Sequence, residues 1–142
     1  MGLREAIDQY HAAVDAFSRG DPEPVKAICS HRDDATLANP FGPAASGWTN
    51  VSAALDYASS RFRDGEVTSV ERVAEYIGSE LAAIFAIERW SAKVGGRTEP
   101  AKFELRVTSI FRSEDGVWRL VHRHADPIAT PHADGPLRSG IT

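Results

Sequence analysis

The segment Val117-Trp-Arg-Leu-Val-His-Arg-His-Ala-Asp126 is the last of four strand-like segments, and it decides how the sheet meets the rest of the chain. Side chains alternate between the two faces of a β-strand. One face is therefore predicted to carry Trp118, Leu120, His122, His124 and Asp126. That face begins apolar and ends in two imidazoles and a carboxylate. We expect such a strand to run from a packed core to the polar end of a pocket.

Three further strand-like segments precede it, at 67–77, 81–94 and 103–112. Gly95-Gly96 and Asp115-Gly116 are tight-turn signals between neighbouring segments. The second half of the chain is therefore predicted to form an antiparallel meander.

The first 62 residues have helical periodicity instead. Apolar residues at 4-3-4-3 spacing predict a first helix over 3–17, and Asp21-Pro22 begins a short second one. A third helix is predicted over 51–62. It comes after a short strand at 35–39 and a loop at 40–47 that is rich in Pro and Gly. Helices on one face of an antiparallel sheet make an α+β fold, here predicted to be a cone with one open mouth.

The bulk composition is that of one globular domain of 142 residues, with 42% hydrophobic and 25% charged residues. The net charge of −4, without a basic stripe, argues against a nucleic-acid partner. We assign the domain to 1–128 and a mobile tail to 129–142. With no signal-peptide pattern and no apolar run near ~20 residues, no membrane contact and a cytoplasmic location are expected.

Cys29 is the only cysteine, which excludes an intrachain disulfide and a cysteine-based zinc site. It is predicted to be a buried hydrophobe, with a reactive thiol near His31 as the alternative. Phosphate-loop, dinucleotide and HExxH motifs are absent from the sequence, so no cofactor is predicted.

The segment Arg32-Asp-Asp-Ala-Thr-Leu-Ala-Asn-Pro-Phe-Gly42, followed by Gly47, resembles the matching stretch of ketosteroid isomerases. The helical order, the break at Gly20-Asp21 and the closing His122-Arg-His124 strand resemble the wider SnoaL-like group. Both belong to the nuclear transport factor 2-like superfamily. The resemblance covers roughly residues 3–128. It implies a cystatin-like cone, with three N-terminal helices packed on a strongly curved, mixed, mostly antiparallel sheet.

The isomerase residues do not carry over. The resemblance places the catalytic Asp at Asn39, and an amide cannot accept a proton at any useful pH. It places the two oxyanion donors at Ala13, one turn from Tyr10, and at Ser109. Steroid isomerisation by that mechanism is therefore not expected.

His122 and His124 are the first candidate catalytic residues, as a general base that Asp126 orients. Alternatively they only form hydrogen bonds in a pocket or subunit interface. No metal is predicted, because no further ligand is spaced to complete a site. A single β-bulge would exchange the faces: Arg123 would become the pocket cation and the histidines would face a partner.

Glu88 and Asn39 complete the candidate catalytic set. Glu88 is either a pocket acid or base of raised pKa, or the partner of Arg106 or Arg112 on an exposed sheet face. Asn39 either orients a carbonyl, amide or water, or caps the turn before Pro40. The predicted pocket also contains Tyr10, Phe41, Trp48, Tyr57, Trp90, Ser109 and Asp126.

Two hypotheses follow. The first is a cofactor-free isomerase, cyclase, hydratase or hydrolase that holds a small apolar or aromatic molecule in the cone. The second is a non-catalytic ligand-binding or assembly module that dimerises through the sheet, since 103–111 is apolar at positions on both faces. A cavity too small for anything beyond water would favour assembly.

Overall fold

The computed structural model describes residues 2–137; the rest of the predicted tail, 138–142, lies outside the described residues. Residues 2–137 contain three helices and six strands. The helices are α1 (Leu3–Phe17), α2 (Glu23–Ile28) and α3 (Trp48–Ser60). The strands are β1 (Thr36–Asn39), β2 (Gly42–Ser46), β3 (Phe62–Ile77), β4 (Leu81–Val94), β5 (Ala101–Glu114) and β6 (Val117–Asp126). Within residues 2–137, no helix has the length and hydrophobicity that a bilayer span requires.

The strands form one mixed sheet in the order β2-β1-β6-β5-β4-β3. Only β1 and β6 pair in parallel, so the predicted α+β class and mostly antiparallel sheet are confirmed. The strong curvature stays a prediction. The predicted loop at 40–47 is wrong in part, because Gly42–Ser46 folds back onto β1 as an edge strand. Pro43 is compatible with this position, since an edge strand need not donate every N–H.

The inner face of the sheet packs on α1. On β4 it carries the even-numbered residues from Ala82 to Ala92, all buried. Phe111 of β5 is fully buried and meets the Tyr10 ring edge-on, with ring centroids 5.4 Å apart. Apolar burial of this kind supplies most of the driving force for folding. The intervening residues of β4 and β5 form the outer face of the sheet.

A β-bulge at Val121 changes which side chains of β6 enter the core. Leu120 pairs with Phe111, whereas His122 pairs with Ile110, so Val121 is an extra residue without a partner on β5. Beyond the bulge the faces exchange, and Arg123 is buried while His124 is exposed. The prediction that one face runs from Trp118 to Asp126 is wrong, because the bulge exchanges the faces and brings Arg123 inside. That the histidines face a partner stays a prediction.

The close approach of β3 to α1 depends on Gly65. A Cβ at this position would clash with the Ser18 carbonyl oxygen and stand 2.8 Å from the Ala92 Cβ. We expect Gly65→Ala to lower the free energy of unfolding by about 1–3 kcal/mol, because both neighbours are packed. Gly42→Ala is the matched control, since nothing lies within 4 Å of the added methyl group. Equal stability of the two variants in urea unfolding would contradict this packing.

Candidate functional site

Glu88 and Arg123 form a buried ion pair on the inner face of the sheet. Alternation along β4 places Glu88 inside, between Ala86 and Trp90, and the bulge places Arg123 inside on β6. Glu88 is 1% exposed and Arg123 is 8% exposed. Two guanidinium nitrogens, Nη1 and Nη2, each donate to a different oxygen of Glu88 at 2.8 Å. This two-point geometry is the strongest form of a carboxylate–arginine pair.

Three further polar side chains complete the arrangement, which we call the interior cluster: Tyr10, Glu88, Trp90, Ser109 and Arg123. The Trp90 indole donates to Glu88 at 3.0 Å, and Arg123 Nη1 donates to the Tyr10 hydroxyl at 2.5 Å. The Tyr10 hydroxyl and the Ser109 Oγ lie 2.6 Å apart. Each carboxylate oxygen of Glu88 therefore has a donor, and each buried hydroxyl has a partner.

The electrostatics of the interior cluster do not favour proton transfer. Burial alone would raise the pKa of Glu88, but the charge and hydrogen bonds of Arg123, with the Trp90 indole, hold it below its ordinary value. Burial raises the pKa of the Tyr10 hydroxyl, although Arg123 opposes this. A general base needs a pKa near the working pH. Glu88 is a weaker base than an exposed glutamate, which contradicts the predicted raised pKa.

A cavity adjoins Arg123. Residues of the helices α1 and α3 and of the sheet line it. Its lining includes Val14, Phe17, Leu37, Phe41, Phe62 and Arg123. The volume open to the centres of water molecules is about 40 Å³. One water needs about 10–15 Å³ on this measure, whereas small-molecule pockets span about 300–1,000 Å³. The cavity therefore has room for only a few waters.

An open groove of about 510 Å³ lies on the other side of Phe41, between the β1–β2 hairpin and α3. Leu37, Asn39 and Phe41 border both the groove and the cavity. The Asn39 Oδ1 accepts a hydrogen bond from the Phe41 backbone N–H at 2.9 Å. This is the turn-capping role that the sequence left open for Asn39.

His122 and His124 lie away from the interior cluster, on the outer face of the sheet. The His122 Nδ1 lies 2.8 Å from the Thr36 Oγ1, and burial, followed by the charge of His124, lowers the pKa of His122. Asp126 accepts two hydrogen bonds from Arg106, at 2.8 and 2.9 Å, and does not orient either imidazole through a hydrogen bond. None of these three residues lines the cavity beside Arg123, because the bulge turns their side chains toward the outer face.

The remaining predicted pocket residues divide into two groups. Tyr10, Trp90 and Ser109 belong to the interior cluster, and Phe41 lines the cavity as expected. Trp48 instead stacks on His31, with ring centroids 3.8 Å apart, and Tyr57 is 57% exposed beside the groove. Neither of these two residues lines the cavity.

The structure also tests the expected partners of Glu88 and the expected burial of Cys29. Glu88 does not pair with Arg106 or Arg112. Arg106 donates to Asp126, and Arg112 donates to Asp34 and Glu114. Cys29 is buried, as predicted, and burial raises the pKa of its thiol to about 12. A thiol with that pKa stays protonated and is a poor nucleophile.

Sequence reasoning named Arg123 only as the consequence of a bulge, and it did not single out His11. The Nδ1 of His11 is buried and has no hydrogen-bond partner among residues 2–137. Burial lowers the pKa of His11. An acidic residue on an apolar strand face was the available signal for Arg123, because a buried carboxylate requires a cation.

Comparison with known proteins finds a family that matches most of the chain. A family model described as a SnoaL-like domain matches residues 3–130. A search of curated protein sequences finds no significant relative.

Solved structures with the same fold have little sequence in common with the chain. A nuclear transport factor 2-like superfamily protein from Salmonella enterica is 16% identical, with a TM-score of 0.74 over 92% of this chain and 91% of its own. A ketosteroid isomerase-like protein from Erwinia carotovora is 18% identical, with a TM-score of 0.72 over 90% and 95%. A Thiobacillus denitrificans protein, provisionally described as a calcium/calmodulin-dependent protein kinase type II association domain, is 23% identical, with a TM-score of 0.66 over 89% and 94%. These likenesses show the fold alone.

The interior cluster is expected to behave as a structural unit. Glu88→Gln leaves the buried guanidinium without a counter-charge, so we expect it to lower the free energy of unfolding by about 3–5 kcal/mol. The double variant Glu88→Met with Arg123→Met removes both charges and is expected to recover most of that loss. Urea unfolding measures both effects. Glu104→Gln is the matched control, because Glu104 and its partner Arg89 both keep about 40% of their side chains exposed, so the change should be much smaller.

The wild type and the double variant should also differ in how the free energy of unfolding depends on pH. The folded-state pKa of Glu88 is below its unfolded value, so the stabilisation by the pair is complete above about pH 4.3 and is lost as the pH falls through the folded pKa. The double variant should therefore lose less stability than the wild type between pH 5 and pH 3. Parallel stability curves for the two proteins would count against a charged pair.

Proposed function

Because the chain belongs to the SnoaL-like domain family, whose fold serves many functions, we propose that it is a non-catalytic module that pairs with a second copy through the outer face of its sheet. One observation carries this choice over the enzyme hypothesis. The polar groups of the interior cluster satisfy one another beside a cavity of about 40 Å³, which has room for only a few waters and not for a substrate. The catalytic roles of His122, His124, Asn39 and Glu88 stay predictions without geometric support.

The interior cluster argues against catalysis in chemical terms. An acid–base catalyst must present its reacting atom to the substrate within hydrogen-bond distance. The two oxygens of Glu88 already accept three hydrogen bonds, from Trp90 and Arg123. Releasing Glu88 would leave Arg123 charged and unpaired in the core, at a cost of several kcal/mol.

The outer face of the sheet supports self-association. The middle of β4 and β5 places Phe85, Ile87, Thr108 and Ile110 there, all half-buried. Tyr76 pairs with Ala83 on the same face and is 68% exposed. Contiguous apolar surface of this kind marks an interaction site more often than an ordinary solvent face. Two copies related by a two-fold axis would bury it against itself.

The described neighbours allow either function. One is provisionally described as a kinase association domain and another, from Streptomyces avermitilis, as a dehydratase. Since the fold is compatible with assembly and with catalysis, the choice depends on the residues of this chain. Its closed interior and apolar outer face favour assembly.

Phe85→Glu tests the outer face. A carboxylate in the middle of an apolar interface would be desolvated on both copies, so we expect the variant to sediment as a monomer where the wild type is a dimer. Sedimentation velocity at micromolar concentration measures this. Tyr57→Glu is the matched control, because Tyr57 is 57% exposed on α3, beside the groove and away from β4. A monomeric wild type, or a dimeric Phe85→Glu variant, would rule out this interface.

A second candidate is binding of a small apolar or aromatic molecule, and the position of Phe41 favours it. This ring borders both the cavity and the 510 Å³ groove, so its displacement would connect the two spaces and give a ligand access to Arg123. An enzyme of the isomerase, cyclase or hydratase type would require that opening.

Phe41→Ala separates the two candidates. Removing the ring creates space that an apolar ligand can fill, so we expect indole to bind the variant and to leave wild-type spectra unchanged. Two-dimensional NMR of the backbone amides around Leu37 and Trp90 reports on this. Phe103→Ala is the comparison, since it removes a ring that does not line the cavity. Saturable indole binding by the wild type would instead favour the ligand-binding candidate.

A further inference from the structure

The bulge at Val121 places two imidazoles side by side on the outer face of β6. His122 and His124 have ring centroids 6.4 Å apart. Alternate residues on a strand point in the same direction, so both rings extend from the sheet toward the same side. His124 is exposed and forms no hydrogen bond among the described residues, which leaves both of its nitrogens available.

We propose that His122 and His124 chelate a borderline divalent transition-metal ion, Zn²⁺ in the first place, and that the same pair from a second copy completes a four-imidazole site. The bridging part rests on the proposed pairing of outer faces, whereas the chelation by one chain does not. Imidazole is a preferred ligand of zinc, and structural zinc sites are four-coordinate and tetrahedral.

Thr36 supports His122 in the manner of a metal ligand. The His122 Nδ1 lies 2.8 Å from the Thr36 Oγ1, on the neighbouring parallel strand β1. Metal-binding histidines usually donate one ring N–H to such a partner, which fixes the ring and leaves the other nitrogen for the metal. In the tautomer that carries its proton on Nδ1, His122 donates to the threonine oxygen and leaves its Nε2 for the ion.

A second copy is needed because the described part of the chain brings only two ligands, His122 and His124, together at this place. Among residues 2–137 there is no group of three metal-ligating side chains. Asp126 is the nearest acidic residue along the strand, but Arg106 holds both of its oxygens. β6 is one of the two central strands of the sheet. In a two-fold dimer, a patch near the axis meets its own copy, so two pairs of imidazoles can converge.

The test uses the untagged, metal-free full chain and Zn²⁺ alone. Calorimetric titration is expected to give one zinc per two chains, and sedimentation velocity is expected to show a tighter dimer with zinc than with EDTA. His122→Gln and His124→Gln should each abolish the chelate and the zinc effect on sedimentation. Thr36→Val should weaken zinc binding by about 10–100-fold without removing it. His132→Gln is the matched control, since His132 lies in the exposed segment after β6.

The outcomes separate this inference from the proposed function. A metal-free dimer that binds no zinc, or binds it equally well as His124→Gln, overturns the metal site and leaves the pairing intact. A metal-free monomer that dimerises with zinc supports the metal site and overturns metal-independent pairing. One zinc per chain with unchanged sedimentation overturns the shared four-imidazole site.

Discussion

A guanidinium can be buried only where a carboxylate neutralises it and its N–H groups find acceptors. For Arg123, this constraint links the bulge in β6, the inner face of the sheet and α1. Arg123 enters the core because Val121 is an extra residue in β6. Glu88 meets it from β4, across β5, where the residue opposite Arg123 is the small Ser109. The Tyr10 hydroxyl accepts another of its N–H groups and so ties α1 to the sheet. Helix, bulge and strand register are therefore determined together.

Most of the fold could be predicted from local patterns. The 4-3-4-3 spacing of apolar residues gives α1, and the glycine turns give the order of the four long strands. The β1–β2 hairpin was missed because Pro and Gly between 40 and 47 are typical of a loop, and only pairing with β1 makes Gly42–Ser46 a strand. The parallel pairing of β1 with β6 is a long-range contact that no local pattern records.

The site was less predictable, since a single inserted residue reverses the side-chain faces of a strand. Strict alternation along β6 placed His122 and His124 inside, whereas the bulge places them outside. A tertiary argument would have found the right faces. β4 alternates without interruption, so Glu88 lies on an apolar face and needs a cation, and Arg123 is the residue on β6 that can supply one only if the strand bulges.

The polar side chains on the two faces of the sheet differ in whether they have hydrogen-bond partners. Inside, Glu88, Tyr10 and Ser109 all have partners, and the space beside them is of the order of a few waters. Outside, the imidazole of His124 is exposed and has no hydrogen-bond partner among the described residues. Free hydrogen-bonding and metal-binding capacity is what a protein uses to recognise something else, and buried satisfied groups are what it uses to hold its own shape. The bulge at Val121 thus turns Arg123 into the interior cluster and turns His122 and His124 to the outer face, where we propose that they bind a metal ion. For this reason a family resemblance centred on the pocket does not determine what this chain does.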